Sequence, residues 1–303
     1  MLGTLVIAGG AFYAAYRLFP ERVFNFAVNS QRRIAGLSLK DVMIDGHRVA
    51  YLEGGQGEAL LLLHGFGADK DNWTPIARFL TPHFRVIVPD LPGFGESSRR
   101  NEASYALDPQ LDRIAEFARA VGISRFHLGG NSMGGYLAAH YAARSPDQVQ
   151  TLWLLAPAGV GSAEPSELFE LVGQGDNLLL IDSDTKGKRL MAMLFAKAPF
   201  APKEFQRFWL QRAMMNCAFN TKIFQELFSA PVMLDERING LATPSFIVWG
   251  DDDRLLHVSG AHGLKKLLPN SRLRVMPAMG HCPMLERPRD AAADYLSFHQ
   301  RAI

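Results

Sequence analysis

The sequence predicts a mostly parallel, doubly wound α/β sheet carrying one helical insertion, preceded by an apolar N-terminal helix. Three observations lead there. Short apolar runs alternate with helix-length segments, the rhythm of strands joined by crossover helices. One strand-to-helix junction, Gly130-Asn131-Ser132-Met133-Gly134, is built as a sharp turn. Between Pro157 and Leu241 the alternation stops, and helical segments follow one another, interrupted by Gly173, Gly175, Gly187, Pro199 and Pro202.

Met1 to Tyr16 contains no charged side chain, and the apolar run continues past Arg17 to Leu18-Phe19. Eighteen helical residues reach roughly 27 Å, enough for a bilayer core with Arg17 snorkelling to the interface. A cleaved signal peptide would carry Lys or Arg before the apolar part and a small-x-small site after it, and neither is present. The expectation is a single-pass N-terminal anchor, in the inner or plasma membrane if the source is bacterial. Gly10 and Ala14 provide a small-xxx-small spacing through which two copies would form a homodimer in lipid. Val23, Phe24, Phe26, Ala27 and Val28 alternate with Arg22, Asn25 and Asn29, and Arg32-Arg33 follow. This pattern predicts a juxtamembrane helix at the interface, its basic residues near membrane lipid head groups. Counting Arg17, Arg22, Arg32 and Arg33 by the positive-inside rule puts the remainder of the chain on the cytoplasmic side. Residues 1–33 therefore form the anchor and juxtamembrane unit.

In residues 34–157, Leu39 to Ile44 and Arg48 to Glu53 read as strands joined by a hairpin at Asp45-Gly46. Ala59 to Leu63 is continuously apolar, as a strand buried on both faces should be. A helix over Trp73 to Leu80 leads to a buried strand at Phe84 to Val88, then a loop from Asp90 to Ser97 and an amphipathic helix over Pro109 to Val121. The approach Arg125 to Gly129 enters the turn around Ser132, and the Ala-rich run Tyr136 to Ala143 leaves it as a helix. Glycines two before and two after Ser132 remove the Cβ atoms that would clash around a strained position, so the hydroxyl stands at the tip of an elbow. A strand over Val149 to Leu155 follows. Residues 241–303 resume the rhythm with strands at Ser245 to Trp249 and Arg272 to Met276 and helices at Ala261 to Leu268 and Arg289 to His299.

Residues 158–240 are 83 of 303 positions but hold 8 of 20 Phe and 5 of 11 Met. That enrichment favours a cap lined with soft apolar side chains, seated over the strand ends where Ser132 is exposed, and an apolar substrate beneath it. Lys and Arg total 32 against 30 Asp and Glu, so nothing points to nucleic acid. Cys217 and Cys282 have neither redox nor metal-ligand spacing, and no cofactor or metal is implied.

His64-Gly65-Phe66-Gly67, Asp90-x-Pro92-Gly93-x-Gly95-x-Ser97, Gly130-Asn131-Ser132-Met133-Gly134-Gly135, Trp249-Gly250-x-x-Asp253 and Gly280-His281 stand in the order and spacing of the α/β-hydrolase fold. More narrowly the chain resembles membrane-anchored monoacylglycerol lipases and related bacterial membrane-bound lysophospholipase and phospholipase A enzymes. That resemblance extends to Val258-Ser259-Gly260-Ala261 and Glu286-Arg287-Pro288 and covers almost the whole chain, least securely in the cap. It implies a serine hydrolase acting on lipid acyl esters through an acyl-enzyme on Ser132. His281 would be the base, because it follows the last strand in the expected serine, acid, histidine order. His64, His127, His140, His257 and His262 are read as lying outside that role. The strand ending at Ala156-Pro157-Ala158 supplies no carboxylate, so the acid comes from Asp251, Asp252 or Asp253; family spacing selects Asp253, which the bare sequence does not. The backbone N–H groups of Met133 and Phe66 fit the two sources of an oxyanion hole.

Two rivals share parts of the pattern. Carbon–carbon bond hydrolases of aromatic degradation use the same triad and elbow but usually place Trp after the histidine, where this chain has Cys282. A catalytically silent, membrane-tethered lipid-binding protein would not need the intact triad.

Overall fold

The structure, a computed structural model, describes residues 18–302. The anchor over residues 1–19 and the Gly10/Ala14 pairing surface therefore fall almost wholly outside the described residues. Among those residues no helix is long and apolar enough to cross a membrane.

The sheet has eight strands: β1 (Leu37–Ile44), β2 (His47–Gly54), β3 (Ala59–Leu63), β4 (Arg85–Pro89), β5 (Phe126–Asn131), β6 (Val149–Leu155), β7 (Ser245–Gly250) and β8 (Ser271–Met276). Their order is β1-β2-β4-β3-β5-β6-β7-β8. The β1–β2 and β2–β4 pairs are antiparallel and the rest parallel, so the sheet is mixed. The strand order reverses beside β3, and the C-terminal ends of β3 and β5 meet there, where open α/β sheets form their crevices. Every residue of β3 and β5 is buried, and apolar clusters cover both faces.

Helix α1 (Pro20–Ile34) begins at a proline, whose missing N–H costs nothing at a helix start. Helices α2 (Thr74–Leu80), α3 (Leu107–Ala120) and α4 (Met133–Arg144) follow, with a short 3₁₀ turn over Lys70–Trp73. The elbow helix thus starts directly after Ser132, three residues earlier than its Ala-rich run indicates. Between β6 and β7 lie α5 (Glu167–Gly173), α6 (Asp184–Leu194), α7 (Lys203–Met215), α8 (Cys217–Phe228) and α9 (Leu234–Arg237). Helices α10 (Ser259–Leu267), α11 (Pro283–Glu286) and α12 (Pro288–Ala302) complete the chain.

The juxtamembrane reading needs one correction. Arg32 does not face lipid head groups; it is buried, with Nε and Nη2 donating to the two carboxylate oxygens of Asp71 at 2.7 and 2.6 Å. The physical reason is a charge cluster in the core. Lys70 Nζ donates to Asp90 at 2.8 Å and to Glu96 at 2.9 Å, and Arg32 reaches the same Glu96 oxygen at 3.2 Å. Asp90 also accepts the backbone N–H groups of Lys70 and Glu96, both at 2.7 Å. Burial raises the Asp90 carboxyl above its usual range while Lys70 opposes it. The glycine at 95 is explained here too: it sits at φ +51°, and a Cβ would fall 2.2 Å from the Asp90 carboxylate carbon.

Because Lys70 and Asp90 are both buried, removing one charge leaves the other without compensation. Lys70→Met should lower unfolding free energy by about 3–5 kcal/mol, read as a fall in the urea midpoint at constant slope. A loss below about 1 kcal/mol would mean that the cluster behaves like a solvated surface pair.

Candidate active site

Ser132 stands between β5 and α4 at φ +55°, ψ −118°, a left-handed conformation unusual for a residue with a Cβ. Its backbone is held on both sides. The Ser132 N–H donates to Leu155 O at 3.0 Å, and its carbonyl accepts from Tyr136 and Ala158 at 2.9 and 3.1 Å. The glycines are required by crowding: a Cβ on Gly130 would lie 2.2 Å from Gly134 O, and one on Gly134 would lie 2.2 Å from Leu63 O. The side-chain amide of Asn131 donates to Leu155 O and to His281 O, each at 3.1 Å, joining the elbow to the loop after β8.

On that loop, His281 Nδ1 lies 2.7 Å from Asp253 Oδ2. Asp253 Oδ1 accepts from the backbone of Leu255 at 2.9 Å and Leu256 at 3.0 Å, which fixes the carboxylate before the histidine is considered. Both side chains are buried. Asp251 and Asp252 are exposed, and among the described residues it is Asp253 that pairs with His281. His281 Nε2 is buried and has no hydrogen-bond partner. A buried ring nitrogen left unpaired costs stability, and His281 and Ser132 open into one cavity of about 500 Å³.

Phe66 and Met133 flank the serine. Met133 occupies the first helical position, so its N–H has no intrahelical acceptor. Phe66 lines the cavity in the loop after β3. That loop comes close to the serine, since a Cβ on Gly65 would lie 3.4 Å from Ser132 Cβ. The other histidines stand apart. His64 Nδ1 is 2.8 Å from Gly65 O, its Nε2 accepts from Leu91 N–H at 3.0 Å, and burial lowers its pKa to about 4, so it is a neutral brace. His140 is buried on α4 with its Nε2 3.1 Å from Val232 O, its pKa lowered to about 4 by burial. His257 is paired with Ser259, and His262 is exposed.

Leu190, Met191, Leu194, Phe195, Phe205, Trp209 and Leu210 wall the cavity from the inserted helices. The Phe and Met enrichment has a second cause besides this lining. Phe224 and Phe228 pack on Phe66 at 5.7 and 6.4 Å between ring centroids, and Phe219 packs on Tyr105 at 5.3 Å. Leu168, Leu178, Ile181, Leu190 and Met193 form a small core of the insertion's own with Leu255.

Glu286 stood in the sequence only as part of the Glu286-Arg287-Pro288 match, with no role assigned to it. Its carboxylate accepts the N–H groups of Ala196 (3.2 Å), Lys197 (2.9 Å) and Gly280 (3.2 Å). His281 N–H in turn donates to Leu194 O at 2.8 Å. The insertion is thereby fastened to the histidine loop. The motif marked its place five residues after His281 but not which N–H groups it holds.

The fold and this site define an α/β hydrolase. A profile of the alpha/beta hydrolase fold matches residues 58–288, and the chain belongs to that family. It is 35% identical to Lipase 3 of Moraxella sp. (strain TA144) over 278 residues, covering 89% of this chain and 87% of the relative. It is 30% identical to the Homo sapiens monoacylglycerol lipase ABHD6, covering 98% and 92%. Among solved structures, a membrane phospholipase A described as a bacterial virulence factor superposes with a TM-score of 0.92 at 40% identity, covering 99% and 98%. By this kinship the chain is a lipase/esterase-type α/β hydrolase.

Replacing Glu286 by Ala removes the acceptor of three N–H groups, two at the exposed Ala196 and Lys197 and one at the buried Gly280. Hydrogen–deuterium exchange should quicken at residues 194–197 and 280 while the central strands keep their protection, and unfolding free energy should fall by about 1–3 kcal/mol. Unchanged exchange in both segments would show that the carboxylate does not hold them.

Proposed function

We propose that this protein hydrolyses lipid esters with one acyl chain and a small polar head, monoacylglycerols and lysophospholipids foremost, through an acyl-enzyme on Ser132. The observation that carries the reading is the partnerless Nε2 of His281, whose Nδ1 is engaged by Asp253 and which shares a cavity with Ser132. With Nδ1–H donated to the carboxylate, Nε2 presents a lone pair. It takes the Ser132 proton as Oγ attacks the ester carbonyl, and then gives that proton to the leaving alcohol. The N–H groups of Met133 and Phe66 receive the charge that develops on the carbonyl oxygen. Water, activated by the same imidazole, releases the fatty acid.

In this reading residues 158–240 act as a cap on a core formed by 34–157 and 241–303. Residues 1–19 act as a membrane anchor that keeps the site beside its substrate. A single acyl chain is favoured because fewer methylenes leave the bilayer than with a diacyl lipid. The largely apolar cavity and the place of Cys282 after His281 favour this over carbon–carbon bond hydrolysis. Cys282 is buried, and its thiol pKa is raised chiefly by burial, with the charges of Asp253 and Glu286 adding to it, which keeps it protonated and inert.

Ser132→Ala and His281→Ala should abolish ester hydrolysis without unfolding the protein, and Ser132→Ala should lose fluorophosphonate labelling. Asp253→Asn should lower kcat by on the order of 10⁴, whereas Asp251→Asn and Asp252→Asn should stay near wild type. Full activity in Asp253→Asn would reassign the acid.

Specificity constants should rise from acetyl toward medium and long acyl esters, since each buried methylene contributes up to about 0.8 kcal/mol. Met191→Asp or Trp209→Asp should flatten that rise. A flat profile in the wild type, or preference for a dienoic carbon–carbon substrate, would remove the lipid reading and leave the hydrolase. Deleting residues 1–19 should release the protein from membranes with hydrolysis of a small soluble ester retained; carbonate extraction of the full-length chain would rule out a spanning anchor.

A further inference from the structure

At the end of the sheet opposite Ser132, three side chains from distant parts of the chain converge. His127 is the second residue of β5, Glu58 precedes β3, and His299 lies in the last turn of α12. Their Glu58 Oε2, His127 Nε2 and His299 Nε2 atoms form a nearly equilateral triangle. His127 to His299 is 3.3 Å, His127 to Glu58 is 3.3 Å, and His299 to Glu58 is 3.5 Å. A tetrahedral zinc ion bound at its usual nitrogen and oxygen distances holds its ligand atoms about 3.3–3.4 Å apart. Octahedral magnesium at the same bond length would require about 2.9 Å. The spacing and the ligand types both fit zinc.

The surroundings support the rings as a zinc site would. His127 Nδ1 is 2.9 Å from Thr151 Oγ1. If that nitrogen carries the proton and the hydroxyl accepts it, the Nε2 lone pair is turned toward the other two atoms. Phe84 packs edge-on against both imidazoles, at centroid distances of 5.5 Å to His127 and 4.7 Å to His299. His127 is wholly buried, His299 is partly exposed and Glu58 is half-exposed, which leaves a path for the ion and a place for a water as fourth ligand.

We propose that Glu58, His127 and His299 form a zinc site with two imidazole ligands, one carboxylate ligand and one position open to water. Ser132 follows the last residue of β5, so about five strand residues, roughly 16 Å, separate it from His127. The ion takes no part in ester chemistry. It pins α12 to the N-terminal ends of β3 and β5, closing the sheet at the end where no substrate binds.

The test uses the untagged full-length protein, stripped with EDTA and titrated with zinc against a chromophoric chelator. The wild type should bind one equivalent, and its melting temperature should rise on loading. Glu58→Gln, at a half-exposed position, and His299→Phe, which keeps a ring against Phe84, should each weaken binding at least about 30-fold and abolish the thermal shift. Thr151→Val should weaken it about 10-fold, and magnesium should not substitute. Undiminished binding in both ligand variants would place any zinc elsewhere. No binding by the wild type would mean that the triangle is held by N–H donation from both imidazoles to Glu58. Either result overturns the proposal.

Discussion

The site depends on a shortage of room at the C-terminal ends of the central strands. There backbone packs directly on backbone, and side chains are excluded. Gly134 abuts the carbonyls of Leu63 and His64, and Gly250 abuts those of Met279 and Gly280, each at distances no Cβ would tolerate. Gly280 in turn meets the backbone of Leu194 through Ala196. The close approach brings β3, β5, β7 and the loop after β8 to one place. The strained Ser132 backbone persists because three hydrogen bonds and two glycines over-determine it.

Positioning then passes outward from backbone to side chain. Asn131 ties the elbow to His281, and Asp253 is oriented by Leu255 and Leu256 before it orients the imidazole. Glu286 and the His281 N–H join the same loop to the inserted helices. A shift of those helices is thus felt at His281 as well as at the cavity wall. The cavity wall and the His281–Asp253 pair share one support.

The alternating strands and helices were legible because each is coded locally, by an apolar run, a glycine or a proline. The elbow was legible for the same reason. The choice among Asp251, Asp252 and Asp253 was not, since it turns on which carboxylate meets a histidine 28 positions later, and a run of three acids carries no trace of that. Arg32 was misread on the same grounds. An arginine pair at the end of an amphipathic helix looks the same whether it meets lipid phosphate or Asp71, and only the tertiary contact across 39 residues decides. The Phe and Met of residues 158–240 are partly in apolar surroundings and partly exposed, Phe169, Phe200 and Met215 most of all. They did not report how many would build the insertion and its seat on Phe66 and Tyr105 rather than the cavity.

Helix α1 is locked at its last turn by a two-point ion pair, and Phe24 near its start rests on Phe205 and Phe208 of α7, with ring centroids 5.0 and 5.8 Å away. The helix is thus tied near its start to the insertion and at its last turn to the segment after β3. Because Phe205 also lines the cavity, α1 and one wall of the cavity share a contact. A displacement of α1 would therefore press directly on that wall.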